Sequence, residues 1–218
     1  MTTSSISTEH RQALAEDVIY ITQLRLVEHG YTAVSMDELA AQSGISKPTL
    51  YSLFASKEEL VTAAMLHALE AIGVILEASA IVRSPLERLK LALRWMLQLP
   101  PSGETLLTHV WSVQLPPPIR THSDVYAAFE RIDGAVGGLV RDGVKRGEIA
   151  ADVDIEMIVL LFYTLIGALN IVNQCTFALS GSTTVIEGLV LLFERSVSAS
   201  RTLATHNVGG IGGERSDQ

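Results

Sequence analysis

Apolar residues recur along the chain every three or four positions, with no sustained alternation of apolar and polar residues between hairpin turns, so the pattern predicts an all-α protein. The first helix is expected from about Thr8 to His29. Leu14, Val18 and Ile21 fall on one face, Leu24, Leu26 and Val27 thicken its end, and Gly30 supplies the stop.

Three further helices follow, each with its own start signal. Ser35 and Glu38 have the spacing of a capping box, in which the hydroxyl accepts a first-turn N–H and the carboxylate reaches back to the cap. Helix two is therefore expected over Met36–Gln42, with Gly44 making the tight turn that follows. Ser46 caps helix three, where Pro48 is tolerated because first-turn N–H groups are unpaired anyway. Ser56 and Glu59 repeat the capping-box spacing and open a long fourth helix from Lys57 to about Ala80. Helix, glycine turn and helix within twenty residues form a helix-turn-helix pattern.

Beyond Ser84 the helices lengthen and are punctuated by proline and glycine. They are expected over 85–99, 104–115, 123–146, 153–179 and 183–204. The organisation read from this is a helix-turn-helix domain at 1–56, a larger helical domain at 57–205 whose first helix (57–80) links the two, and a disordered Gly-rich tail at 206–218.

On helix three, Ile45, Leu50, Leu53 and Phe54 can dock inward, which leaves Lys47, Thr49, Tyr51 and Ser52 facing outward. In a helix-turn-helix unit the second helix enters the major groove, so this polar set lies where bases are read. Charge restricts how that could work. The 218-residue chain carries a formal −8, and residues 1–80 alone hold four basic against ten acidic side chains. DNA affinity must then come from a few placed groups and not from a basic coat.

The block VSMDELAAQSGISKPTLYSLFASKEEL, residues 34–60, with Glu28–Tyr31 leading in, resembles the DNA-binding segment of TetR-family transcriptional regulators. The resemblance implies that Ser35, Tyr51 and Lys57 contact phosphates, while Lys47, Pro48, Thr49 and Ser52 line the groove; Ser46, at the start of helix three, is a further DNA-binding candidate. Ser35, Ser46 and Ser56 are also explained as helix caps, so DNA contact would be a second role for them. Two departures stand out: Thr22 and Gln23 occupy helix-one positions that are usually apolar in the family, and few basic residues flank the motif.

For the larger domain the resemblance implies ligand binding and dimerisation. The residues chosen as ligand candidates are His67, Trp95, Met96, His109, Trp111, Tyr126, Phe129, Phe162, Tyr163 and Asn170, each aromatic reading first as core and second as ligand contact. His67, spaced with Leu60, Ala64 and Ala71, reads first as a core histidine. The stretch 157–172 is shorter than the ~20 residues a membrane span needs and is expected to be buried all round by protein. The last two helices, rich in apolar and small residues, are expected to pair with their copies in a homodimer.

No nucleophile–base pair, metal-ligand spacing or phosphate loop occurs, so neither an enzyme nor a bound metal or cofactor is expected. The lone Cys175 and the lack of a signal-peptide pattern point to the cytoplasm. The functional expectation is a regulator that binds a pseudo-palindromic double-stranded operator as a dimer and is released by a small apolar or amphipathic effector. The competing expectation is a helical ligand-binding or scaffold protein whose helix-turn-helix makes protein contacts.

Overall fold

A computed structural model describes residues 8–98, 115–174 and 183–199, and all of their side chains except those of 168–174. Within these residues the chain forms α1 (Thr8–His29), α2 (Met36–Gln42), α3 (Lys47–Leu53), α4 (Lys57–Ala78), α5 (Pro85–Leu97), α6 (Pro117–Arg120), α7 (Ser123–Lys145), α8 (Ile155–Gln174) and α9 (Thr183–Val197). Short 3-10 turns cover Tyr31–Ala33 and Ser79–Ile81, and no strand occurs among the described residues. A single antiparallel bridge, Ile149 with Ser198, ties the α7–α8 connection to the end of α9. The fold is all-α, with an N-terminal helix-turn-helix unit and a larger helical domain.

Helices α2, α3 and α4 begin where their cap serines predict. On α1 the buried stripe is Val18, Thr22, Gln23 and Leu26, whereas Ile21 and Leu14 are only half-buried. Two polar residues thus occupy the inward face. Thr22 satisfies its hydroxyl by donating to the Val18 carbonyl one turn back, 2.8 Å away.

α4 holds the molecule together. Leu60, Val61, Ala64, Met65, Ala68, Leu69, Ile72 and Leu76 are all buried along it. It packs on α1 and α6 near its start and on α5 and α7 further along. The stretch 57–81 is long and apolar enough to cross a membrane, yet its apolar residues are used here as a wall packed by both the N-terminal unit and the larger domain. Around it α5 packs on α7, α8 and α9, and Phe162 and Phe193 meet edge-to-face with ring centroids 5.8 Å apart.

Several sequence expectations are corrected. The proline run at 116–118 does not merely end a helix, because Pro117 and Pro118 open α6, where a missing N–H costs nothing. α5 stops at Leu97 with Gln98 as its cap, and α9 stops at Val197, where the next residue joins the bridge. The α8 helix is not buried all round: Ile158, Phe162 and Ile166 face inward, but Met157 and Leu160 are more than half exposed. The helix expected at 104–115, up to residue 114, lies outside the described residues, as do Cys175 and the 206–218 tail.

Two kinds of helix glycine separate in this packing. A Cβ on Gly143 would lie 2.5 Å from Ile149 Cδ1, and Ile149 is fully buried, so close approach requires this glycine. Around Gly73 and Gly134 an added Cβ would meet nothing within 4 Å. Urea unfolding followed by circular dichroism should therefore show Gly143→Ala destabilised by about 1–3 kcal/mol through overpacking. Gly73→Ala and Gly134→Ala should each gain about 0.5–1 kcal/mol from helix propensity.

Candidate nucleic-acid interface

The interface is built by α2, a three-residue turn and α3. Gly44 adopts φ +65°, a conformation that a side chain would strain, and the turn closes with Ile45 N–H donating to the Ala40 carbonyl at 3.0 Å. Ser46 then caps α3, its Oγ accepting Thr49 N–H at 3.2 Å. Leu50 and Phe54 are buried, and Ile45 and Leu53 pack against the same core, which fixes the rotation of α3.

That rotation turns Lys47, Pro48, Tyr51 and Ser52 to the surface, with Thr49 half-buried beside them and Tyr51 49 % exposed. Local bonds hold the hydroxyls: Ser46 Oγ pairs with Thr49 Oγ1 at 2.7 Å, and Ser52 Oγ donates to the Thr49 carbonyl at 2.7 Å. Ser35 stands at the cap of α2 but makes no side-chain cap bond, so the expected capping box with Glu38 does not form. The second box forms in shifted register. Ser56 Oγ accepts Glu59 N–H at 3.1 Å, and the Glu59 carboxylate accepts the N–H of Ala55 instead of that of Ser56.

All four basic side chains of the first 64 residues are engaged by the protein itself. Arg11 donates to the Ser52 carbonyl at the end of α3, and Arg25 donates to Gln42 Oε1 at 3.1 Å with Glu38 3.9 Å away. Lys47 is ion-paired with Asp37 of α2. The Lys57 ammonium sits 4.1 Å from the centroid of the Tyr31 ring, whose hydroxyl donates to Glu58 at 2.8 Å. Burial, with the Glu58 carboxylate adding to it, pushes the Tyr31 phenol up to about 12, and the Tyr31 bond draws Glu58 below the usual carboxylate range. Desolvation lowers the Lys57 ammonium.

Gln23 explains how a polar residue is tolerated inside. Its Nε2 donates to the Ala64 carbonyl at 2.9 Å and lies 3.2 Å from His67 Nδ1, bridging α1 to α4. His67 is exposed, so it is neither the core histidine first expected nor enclosed by a cavity wall. The sequence points to none of the interactions of Asp37, Tyr31, Gln23 and Arg11, although it marks Gln23 as a polar departure on helix one. Their partners lie 10, 27, 41 and 41 residues away, beyond any local spacing rule.

The ligand candidates are dispersed. Met96 and Phe162 are core residues, Tyr126 is 59 % exposed, and Trp95 is half-buried. Phe129, Phe162 and Tyr163 form one aromatic group, with centroids 6.4 Å apart for Phe129–Tyr163 and 5.8 Å for Phe162–Tyr163. Burial, aided by Asp133, pushes the Tyr163 phenol well above its ordinary value. His109, Trp111 and the side chain of Asn170 lie outside the described residues. A groove of about 860 Å³ between α4 and α7 is lined by Leu69, Gly73, Glu77, Arg131 and Gly138 among others, and a second of about 410 Å³ lies between the start of α4 and α6. Neither is lined by any of the sequence candidates. No cluster able to hold a metal ion occurs among the described residues.

The caps yield a graded expectation for stability. Ser46→Ala and Ser56→Ala should each cost about 1 kcal/mol in urea unfolding, since each loses a bonded cap. Ser35→Ala should cost clearly less.

Comparison with known proteins places these features. Residues 26–64 match the family described as "Bacterial regulatory proteins, tetR family". Over 39 residues the chain is 51 % identical to the HTH-type transcriptional activator FasR of Mycolicibacterium smegmatis, a match that spans 18 % of this chain and 18 % of FasR. A TetR-family transcriptional regulator from Agrobacterium tumefaciens has a TM-score of 0.72 at 15 % identity, over 87 % of this chain and 100 % of that one. AibR, solved in complex with isovaleryl coenzyme A and operator DNA, has a TM-score of 0.68 at 18 % identity, over 82 % of this chain and 97 % of its own. The two solved structures share the fold, and the sequence match is concentrated in the α2–turn–α3 segment. Residues 26–64 thus match the DNA-binding segment of the tetR family of bacterial regulatory proteins, and the helical fold around it is similar to that of solved TetR-family regulators.

Proposed function

We propose that the protein is a sequence-specific DNA-binding transcriptional regulator that grips a pseudo-palindromic operator as a homodimer and is released by a small effector. The observation that carries this is the outward polar face of α3, Lys47, Thr49, Tyr51 and Ser52, fixed by the buried Leu50 and Phe54 within the family-matching segment. Lys47, Pro48, Thr49 and Ser52, with Ser46 at the helix start, line the major groove. Tyr51, Lys57 and the Ser35 hydroxyl, which α2 does not use as a cap bond, contact phosphates and set the register.

The dimer reading is supported by the apolar residues left exposed on the last two helices, Met157 and Leu160 of α8 and Leu191 and Leu192 of α9. A two-fold pairing of these faces would bury them as a four-helix bundle. Half-sites would then be centred about 34 Å apart, or a multiple of that.

Effector release acts through α4, which shares buried surface with the reading unit and the larger domain. An apolar or amphipathic molecule taken up in the larger domain, near the Phe129–Phe162–Tyr163 group, shifts the balance only if it prefers the state with wrongly spaced α3 helices. Repression follows where the operator overlaps the polymerase's path, and activation where the bound dimer recruits it. The same binding chemistry serves either outcome. A DNA-bound role places the protein in the cytoplasm.

Selection of duplexes from a random library, followed by fluorescence anisotropy on the enriched sequence, tests the proposal. A palindrome should be enriched; Lys47→Ala and Tyr51→Ala should both weaken binding, by about 1–3 kcal/mol for Lys47 if it reads a base edge. Only Lys47→Ala should relax base preference. No enrichment at low salt would overturn the DNA-binding reading in favour of protein contacts. Light scattering should report a dimer at micromolar concentration and a monomer for Leu160→Glu/Leu192→Glu, and a wild-type monomer would refute the dimer.

A further inference from the structure

The reading unit holds each of its cations differently. Arg11 donates to a backbone carbonyl, Arg25 to an amide oxygen with the Glu38 carboxylate 3.9 Å away, and Lys57 rests on an aromatic face. Lys47 alone is closely paired with a carboxylate, that of Asp37, and both partners are about 60 % exposed. The pair joins α2 to α3 across the surface on which DNA would lie. Nothing about folding requires it: α2 has Glu38 as a second acid in its first turn, and α3 is already oriented by Leu50 and Phe54.

We propose that Asp37 is an affinity-setting residue of the DNA interface, because its carboxylate occupies the Lys47 ammonium in the free protein and must release it before Lys47 can reach a base edge. The inference rests on the DNA-binding reading above. On an unmatched duplex Lys47 gains little by leaving Asp37 for a solvent-exposed phosphate, since one exposed ion pair replaces another. Asp37 also keeps a negative charge close to the backbone, which opposes non-specific docking. On a matched site Lys47 can donate to the paired O6 and N7 acceptors of a guanine in the major groove, and that exchange is favourable. The carboxylate thus weakens binding everywhere, and most on the matched site, where Lys47 gives up the whole strength of the pair, so Asp37 holds operator affinity down. Such a device suits a unit with only four basic side chains, because one restrained cation is a quarter of its positive charge.

The test is a double-mutant cycle by fluorescence anisotropy on the full-length chain, with the selected operator and a random-sequence duplex. The proteins are the wild type, Asp37→Asn, Lys47→Ala and the double variant. Asp37→Asn keeps the size and the α2 position of the side chain, and circular dichroism checks that the fold persists. Asp37→Asn should tighten operator binding about three- to fivefold and random-duplex binding by less, so that the operator-to-random ratio rises. With Lys47 released to a phosphate, the salt dependence on the random duplex should steepen by about 0.9 in the slope of log K against log salt. In the Lys47→Ala background the same substitution should give a clearly smaller gain and no steepening. Equal gains with and without Lys47 would overturn the proposal, since Asp37 would then act only as a repelling charge. An unchanged or lower operator-to-random ratio in Asp37→Asn would overturn it as well, leaving the DNA-binding reading intact. A wild type that binds no duplex would overturn both.

Discussion

The structure depends on one constraint: a single helix, α4, must pack against both the N-terminal unit and the larger helical domain within one continuous core. Its buried residues run from Leu60 to Leu76 without a polar break wider than one turn. Near its start, Gln23 of α1 reaches the Ala64 carbonyl and Ile119 of α6 is fully buried in contact range. Near its end, Arg88 of α5 approaches the Leu76 carbonyl and α7 lies alongside. A short three-helix unit of about fifty residues has little apolar surface to bury by itself, so borrowing the face of a long helix from the larger domain is a route to stability. The same loan makes the two parts mechanically dependent, because a shift of α4 cannot leave α1 undisturbed.

Electrostatics explains why the reading unit can be acidic and still present a polar, cation-bearing helix. The acids are not spread against the interface at random. Glu58 holds the Tyr31 hydroxyl beneath the Lys57 ammonium, Asp37 holds Lys47, and Glu38 sits near Arg25. Exposed pairs of this kind are worth at most about 1 kcal/mol each, so they do little for stability. Their consequence is positional: the cations are held in place before DNA arrives.

Local rules made much of the fold legible. The cap serines, Gly30 and Gly44, and the inward set Ile45, Leu50, Leu53 and Phe54 mark the helix boundaries and the rotation of α3, because each depends only on residues within a turn or two. Ser35 was misread because capping-box spacing permits the bond without enforcing it. The bond from Gln23 to α4 and the Lys47–Asp37 pair join separate helices, so no period along the sequence could reveal them. Length and hydrophobicity also could not tell that α8 buries one face and exposes the other, since an apolar residue in a partner-covered face looks the same as one in a core. The ligand candidates suffered from the same ambiguity: Met96 and Phe162 have pocket-like chemistry and core positions.

The most direct test of the central claim, that α2–turn–α3 is the DNA-reading surface, is amide hydrogen exchange by mass spectrometry, with and without the selected duplex. Bound DNA is expected to slow exchange in peptides covering 35–57, while the exposed faces of α7 and α9 remain unchanged at the same protein concentration. Protection that spares 35–57 and falls instead on the larger domain would contradict the account.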